Sequence, residues 1–186
     1  MKGFAKIAAV LVATTLIAGA CSKKSTPAPA TTTAAAAATT TAAPDNTGVV
    51  YTSHEFGFDG PSTLPAGTKA ISLTNDGAQD HEMIMVKLDD AHASMTEEDV
   101  VNFVKSEKPN SPPPPWATIV GGVVPPIANG KTGQALFGDF TNPQKPKINP
   151  NGELEPGTYV FMCFVTDPTT KLPHAAMGMV KKVTVS

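Results

Sequence analysis

The sequence contains no arginine, and all 14 of its basic residues are lysines. Arginine supplies the planar fork that binds phosphates and base edges, and no basic stripe takes its place, so nucleic-acid binding is not expected. Aromatic residues make up only 6% of the chain, and the formal net charge is -2. With two cysteines in 186 residues, a framework of several disulfides is excluded as the source of stability.

The chain begins with a segment typical of an exported protein. Lys2 and Lys6 precede an apolar stretch, residues 7–20, which is too short to span a bilayer comfortably and has the length of a signal h-region. Small residues then lead into Cys21, an arrangement that resembles the bacterial lipobox, in which the cysteine is lipidated. We expect residues 1–20 to be a lipoprotein signal peptide and Cys21 to anchor the protein at the outer face of the cytoplasmic membrane. An ordinary signal peptide cleaved nearby is the alternative.

The next segment, residues 21–47, has the composition of a disordered tether. It consists almost entirely of Ala, Thr, Pro, Ser and Lys after the cysteine, and such a segment buries too little apolar surface to fold. Residues 48–186 are then predicted to form one domain, large enough to bury about 68% of its unfolded surface without disulfides. Its acidic residues cluster at 89–99, either as a docking face or as a solvated one.

Within the domain, period-2 apolar patterns separated by turn residues predict β-strands. A helix is predicted after Ser94, which has capping-box spacing to Glu97, and it should end near Glu107 before Pro109. Short strands with one helical insertion predict an all-β sandwich. The predicted strands are one broken strand over 49–58 and further strands at 69–73, 81–88, 134–140, 158–164 and 179–185.

Cys163 needs an explanation, because thiols of exported proteins are normally oxidised in pairs and a lipidated Cys21 leaves it no partner. One interpretation is an inert core cysteine, since cysteine is among the most buried residue types. The other is a metal ligand. His81, His174 and Met179 would complete a His₂CysMet set, which is the ligand set of a type-1 copper site.

Two segments carry a resemblance to plastocyanin- and azurin-like cupredoxins. Residues 157–163, Gly-Thr-Tyr-Val-Phe-Met-Cys, resemble the cysteine-bearing strand of that family, and residues 173–185 resemble its last ligand loop and strand. The turn Asn75-Asp76-Gly77 before His81 is similar to the region of its first histidine. The resemblance is strong over 155–186 and weak over 89–153.

The resemblance implies a cupredoxin-like Greek-key β-sandwich that binds one type-1 copper through His81, Cys163, His174 and Met179. Ten residues separate Cys163 from His174, more than in plastocyanins and nearer to copper nitrite reductases. Loop-closure entropy grows slowly with length, so the longer loop does not forbid the site. Its reduction potential, however, cannot be carried over from the family.

The function implied is that of an electron carrier rather than an enzyme. We expect a monomer that docks weakly and transiently on redox partner proteins at His174, whose imidazole edge would reach solvent through an apolar collar. One alternative is a copper-binding or copper-delivery lipoprotein that holds Cu(I) with help from Met83, Met85 or Met177. Another is a scaffold domain of the same shape without metal. A cysteine hydrolase is disfavoured because the thiol lies in mid-strand.

The residues around the ligands have structural interpretations as well. Tyr159 and Phe161 share the strand face of Cys163 and should keep its surroundings dry. Asn75 is interpreted as a turn residue in preference to a brace for the ligand loops. Met83 and Met85, at strand spacing, are expected in the core. His54 and His92 are expected at the surface.

Overall fold

The computed structural model describes residues 48–108, 111–140, 142 and 145–186. The predicted signal peptide, the tether and the predicted lipidation site Cys21 lie outside these residues. Within the described part of the chain, no helix combines the length and the apolar character needed to cross a membrane.

The described residues form eleven strands in two sheets, one α-helix and one 3₁₀ turn. One sheet has the order β2-β1-β4-β7 and the other the order β3-β11-β10-β5-β6-β8-β9. The predicted all-β sandwich with a helical insertion is confirmed. The elements are β1 (Val49–His54), β2 (Gly57–Asp59), β3 (Thr63–Leu64), β4 (Ile71–Asn75), β5 (His81–Leu88), α1 (Glu97–Ser106), β6 (Ala117–Ile127), β7 (Thr132–Gln134), β8 (Leu136–Asp139), β9 (Lys147–Ile148), β10 (Gly157–Met162), the 3₁₀ turn His174–Met177 and β11 (Val180–Val185).

Strand β10 lies in the interior of the larger sheet, between β5 and β11, and residues 159–162 are buried on both faces. Tyr159 and Phe161 point into the core between the two sheets, which also contains Cys163. Val160 and Met162 point to a second core, which includes Val100 of α1. The expectation that aromatic side chains share the face of Cys163 and dry its surroundings is confirmed.

The helix begins two residues later than the capping pattern predicts. Thr96 is the N-cap, and its hydroxyl accepts a hydrogen bond from the backbone N–H of Asp99, whose carboxylate accepts one from Thr96 N–H. Glu97, the predicted capping partner of Ser94, instead accepts a hydrogen bond from Lys182 N–H on β11. The predicted end near Glu107 is confirmed. A capping box satisfies two exposed N–H groups at once, and Thr96 with Asp99 does so here.

Strand β6 is absent from the sequence prediction, although it lies between β5 and β8 in the larger sheet. Its glycine pair and proline pair argue against a central strand. The glycines are required by close neighbours: a Cβ on Gly121 would lie 2.4 Å from Leu136 O, and one on Gly122 would lie 2.6 Å from Met83 O. Pro125 and Pro126 come where the strand no longer pairs with β8.

Two predicted strands are each two strands in the structure. The segment 49–58 is an antiparallel hairpin of β1 and β2, with Ser53 opposite Phe58, and not one broken strand. The segment 134–140 contains the end of β7 and all of β8, which pair with different sheets. Apolar residues lie on both sides of each break, so the presence of apolar residues alone does not show where one strand ends and the next begins.

Candidate metal centre

Three predicted ligands meet at one end of the sandwich. His81 is the first residue of β5, Cys163 follows the last residue of β10, and His174 opens the 3₁₀ turn. Strands β5 and β10 are antiparallel neighbours, so the start of one lies beside the end of the other. The loop after β10 returns through a bond from Ala175 N–H to Cys163 O, 2.7 Å, and this bond places His174 beside the thiol.

The donor atoms of these residues form a compact triangle. His81 Nδ1 lies 3.1 Å from His174 Nδ1, and Cys163 Sγ lies 3.5 Å from His174 Nδ1 and 3.9 Å from His81 Nδ1. The point equidistant from all three is about 2 Å from each, close to the roughly 2.0–2.3 Å bonds that a first-row metal such as zinc makes to nitrogen and sulfur. The three side chains therefore fit one ion as they stand.

The site is closed to solvent. His81, Cys163 and His174 all have 0% of their surface exposed. His81 Nε2 is buried without a hydrogen bond, and the nearby Glu55 Oε1 lies 3.4 Å away. A ring that binds a metal through Nδ1 carries its proton on Nε2, and the Glu55 carboxylate would accept a hydrogen bond from that N–H. Metal binding at Nδ1 of His81 would therefore explain why its Nε2 is placed next to this carboxylate.

Met179 lies beside two of the predicted ligands. Its N–H donates to His174 O at 3.0 Å, its carbonyl accepts from Cys163 N–H at 3.3 Å, and its side chain is fully buried in the core that contains Cys163. Its role as the fourth ligand stays a prediction.

Burial sets the charge state of the metal-free cluster. It lowers the pKa of His81 and of His174 below the usual range for histidine, so both rings are neutral at pH 7. It raises the pKa of the Cys163 thiol to about 11. Since a metal binds the thiolate, an ion that enters this site must displace the thiol proton.

The expectation that the imidazole edge of His174 reaches solvent is wrong. The ring packs against Phe56, with centroids 4.9 Å apart, and its outer Nε2 lies 3.2 Å from Gln79 Oε1. The apolar surface at this end of the sandwich includes Phe164, 42% exposed, and Leu172, 45% exposed.

Asn75 is a brace and not only a turn residue. It is fully buried, and its side-chain nitrogen donates to Gln79 O at 2.7 Å and to Ile127 O at 2.8 Å. Its side-chain oxygen accepts a bond from Gly77 N–H at 2.8 Å, which is the turn interaction that the sequence suggests. The bonds to Gln79 and Ile127 fix the loop that leads into His81.

Met83, Met85, His54 and His92 lie in the parts of the domain where the sequence analysis predicted them. Met83 and Met85 are fully buried in the core between the sheets. His54 lies 3.4 Å from Asp59 at the surface, and the partly exposed His92 pairs with an aspartate of its own turn. Neither of these histidines joins the metal-binding cluster.

Three residues that contact the cluster or its neighbours were not identified from the sequence: Glu55, Gln79 and Asp167. Gln79 lies against His174, and its side-chain amide donates to Asp167 Oδ2 at 2.9 Å. Asp167 also accepts bonds from Thr169 and Thr170, and these hydrogen bonds lower the pKa of its carboxyl to about 2. No sequence pattern marks these contacts, because they join separate loops.

The β-sandwich and the buried His-Cys-His cluster agree with the cupredoxin-like fold that the sequence resemblance implied. No family model and no curated protein sequence matches the chain. Among solved structures, it is similar to a dithionite-reduced auracyanin from the photosynthetic bacterium Roseiflexus castenholzii, with 23% identity, coverage of 75% of this chain and 97% of that chain, and a TM-score of 0.40.

Two further solved structures are similar at the same level. Auracyanin A, a blue copper protein from Chloroflexus aurantiacus, is 23% identical, with 74% of this chain and 97% of that chain covered and a TM-score of 0.40. An azurin from Methylomonas sp. strain J is 12% identical, with 74% and 95% covered and a TM-score of 0.38. Similarity at this level does not indicate a function, so the function of this chain is inferred from the geometry of its own site.

Proposed function

We propose that the protein is a one-electron carrier that uses one type-1 copper held by His81, Cys163, His174 and Met179. The observation that supports this is the buried triangle of two Nδ1 atoms and one Sγ around a common point. Copper supplies the change of oxidation state. Thiolate and thioether suit Cu(I), imidazole suits both states, and a rigid mixed set lets the ion change state with little rearrangement.

The same donor set favours a carrier over an enzyme. Metal-dependent catalysis needs a coordination position for substrate or water. Four protein donors leave none, and the complete burial of the two histidines and the cysteine keeps bulk water away from the ion.

Copper delivery is the second candidate, and the placement of the methionines counts against it. Met83 and Met85, which could supply extra thioethers for Cu(I), are packed in the core and fully buried. A delivery protein must also release its ion readily, whereas here the two histidines and the cysteine have no exposed surface.

Titration of the purified protein with cupric ion tests the proposal. We expect one equivalent to bind and to give the intense blue absorption of a thiolate-to-copper charge transfer. Cys163→Ser should abolish the colour, whereas Cys21→Ser, the matched substitution of the other cysteine, should leave it unchanged. Met179→Leu should retain the copper and change its reduction potential. Blue absorption that persists in Cys163→Ser contradicts the ligand assignment, and tight binding of colourless Cu(I) alone favours delivery.

We also propose that a lipidated Cys21 holds the protein at the outer face of the cytoplasmic membrane. The short apolar leader that ends at this cysteine supports the proposal. Cys21→Ser should release the protein into the medium, as measured by fractionation and immunoblotting. Membrane association that persists in this variant argues against lipidation.

The proposed partners are redox proteins that dock weakly and transiently on the metal-site end of the monomer. Two exposed apolar side chains at this end, Phe164 and Leu172, support that choice. Such encounters usually bury less than about 1,200 Å². A sedimentation experiment at micromolar concentration should find a monomer, and a stable dimer there would contradict this part of the proposal.

A further inference from the structure

Gln79 contacts four residues at the metal-site end. Its backbone N–H donates to Glu55 Oε1 at 2.7 Å, and its carbonyl accepts from Asn75 Nδ2 at 2.7 Å. Its side chain connects the outer nitrogen of His174 to the Asp167 carboxylate. The loop before His81 is thereby tied to the loop between Cys163 and His174.

The Asp167 carboxylate determines which way the Gln79 amide points. An ionised carboxylate can only accept hydrogen bonds, so the NH₂ end of the amide must face it. Oε1 then faces His174, and because that oxygen can only accept, the proton of the ring must lie on Nε2. This leaves His174 Nδ1 unprotonated, as a ligand to the proposed ion must be.

Asp167 is itself fixed in place. It is 4% exposed, and its Oδ1 accepts bonds from the backbone N–H groups of Thr169 and Thr170 and from the Thr170 hydroxyl. The other oxygen, Oδ2, is left for the Gln79 amide. The direction of the amide is therefore set by a rigid turn and not by the histidine.

We infer that Gln79 is a positioning residue for the metal: supported by Asp167, it holds His174 in the Nε2-protonated tautomer and covers the outer edge of the ring. The inference about the tautomer holds for the metal-free protein, whereas its consequence for copper rests on the proposed function. Outer partners that orient a ligating histidine typically contribute about 10- to 100-fold to metal affinity.

The test compares Gln79→Leu with wild type and with Gln134→Leu, which removes an exposed amide from β7. The leucine keeps the size of the side chain and both backbone bonds but neither accepts from His174 nor donates to Asp167. In the metal-free protein, ¹⁵N NMR should show one His174 tautomer, Nε2–H, in wild type and Gln134→Leu. Gln79→Leu should show a mixture with Nδ1–H. If Gln79→Leu does not fold, Gln79→Met replaces it.

The second measurement is the copper affinity, obtained by competition with a chelator. Gln79→Leu should bind about 10- to 100-fold more weakly than wild type, and Gln134→Leu should bind equally well. An unchanged tautomer in Gln79→Leu overturns the inference, and so does a changed tautomer with unchanged affinity. Failure of the wild type to bind copper instead overturns the proposed function, and the tautomer result then stands separately.

Discussion

Replacing Asn75 by alanine is the sharpest test of how the fold holds the loop before His81. The substitution removes two donors and one acceptor from a fully buried position. The carbonyls of Gln79 and Ile127 and the N–H of Gly77 then lose their partners. A buried polar group without a partner costs about 1–3 kcal/mol. The bond to Gly77 is buried and the bonds to Gln79 and Ile127 are partly buried, so the lower limit applies, and we expect a loss of about 3 kcal/mol in the free energy of unfolding.

Urea unfolding of the metal-free protein measures this loss. With a slope of about 1–3 kcal/mol per molar urea, the midpoint should fall by more than about 1 M. The matched control is Asn102→Ala on the exposed side of α1, where we expect a change within about 0.5 kcal/mol. Asn75→Asp keeps the acceptor for Gly77 but turns an oxygen toward two carbonyls, so it should destabilise at least as much as alanine.

A loss below about 1 kcal/mol in Asn75→Ala, or a stable Asn75→Asp, would refute the reasoning. Either result would mean that water satisfies the freed groups, and the loop would then be held by other contacts, such as the bond from Asn129 Nδ2 to Gly77 O.

Two other changes test the sheet and the Asp167 turn. Gly121→Ala places a Cβ 2.4 Å from Leu136 O, which forces β6 and β8 apart and should cost about 1–3 kcal/mol in urea unfolding; full stability would contradict the pairing. Hydrogen bonds lower the pKa of Asp167 in the folded protein to about 2, against an ordinary value of 3.8. The contribution of Asp167 to the free energy of unfolding is therefore fully present above about pH 3.8 and is lost as the pH falls through 2. Asp167→Asn should be less stable than wild type at neutral pH and should lose less stability than wild type between pH 4 and pH 2; equal acid sensitivity of both proteins would contradict the assignment.

The C-terminal part of the site could be predicted because the residues that indicate it lie close together in the sequence. Strands β10 and β11 are short stretches rich in apolar and β-branched residues, and Cys163 and His174 lie only 11 positions apart in the chain. His81 begins β5 at the residue that the pattern indicates. Strand β6 could not be predicted, because its glycines and prolines have meaning only beside their neighbours in the sheet.

The outer contacts of the site could not be predicted for a different reason. Glu55 lies 24 positions from Gln79, and Gln79 lies 88 positions from Asp167. Glutamine and aspartate in loops are common and carry no period, so nothing in the sequence singles these out. Their contacts follow from the fold, which brings the ends of β5 and β10 together.

In the proposed electron carrier, the closure of His174 prevents a partner from touching this ligand directly. An exposed imidazole edge would let a partner contact a ligand directly, but here Phe56 and Gln79 cover the ring. A docked partner would contact Phe164, which follows Cys163 in the chain, or Leu172, which lies two residues before His174. Both side chains are exposed, and each lies one or two positions from a proposed ligand in the chain. We therefore expect a redox partner to dock on the apolar surface that includes Phe164 and Leu172 and not on the ring of His174, which Phe56 and Gln79 cover.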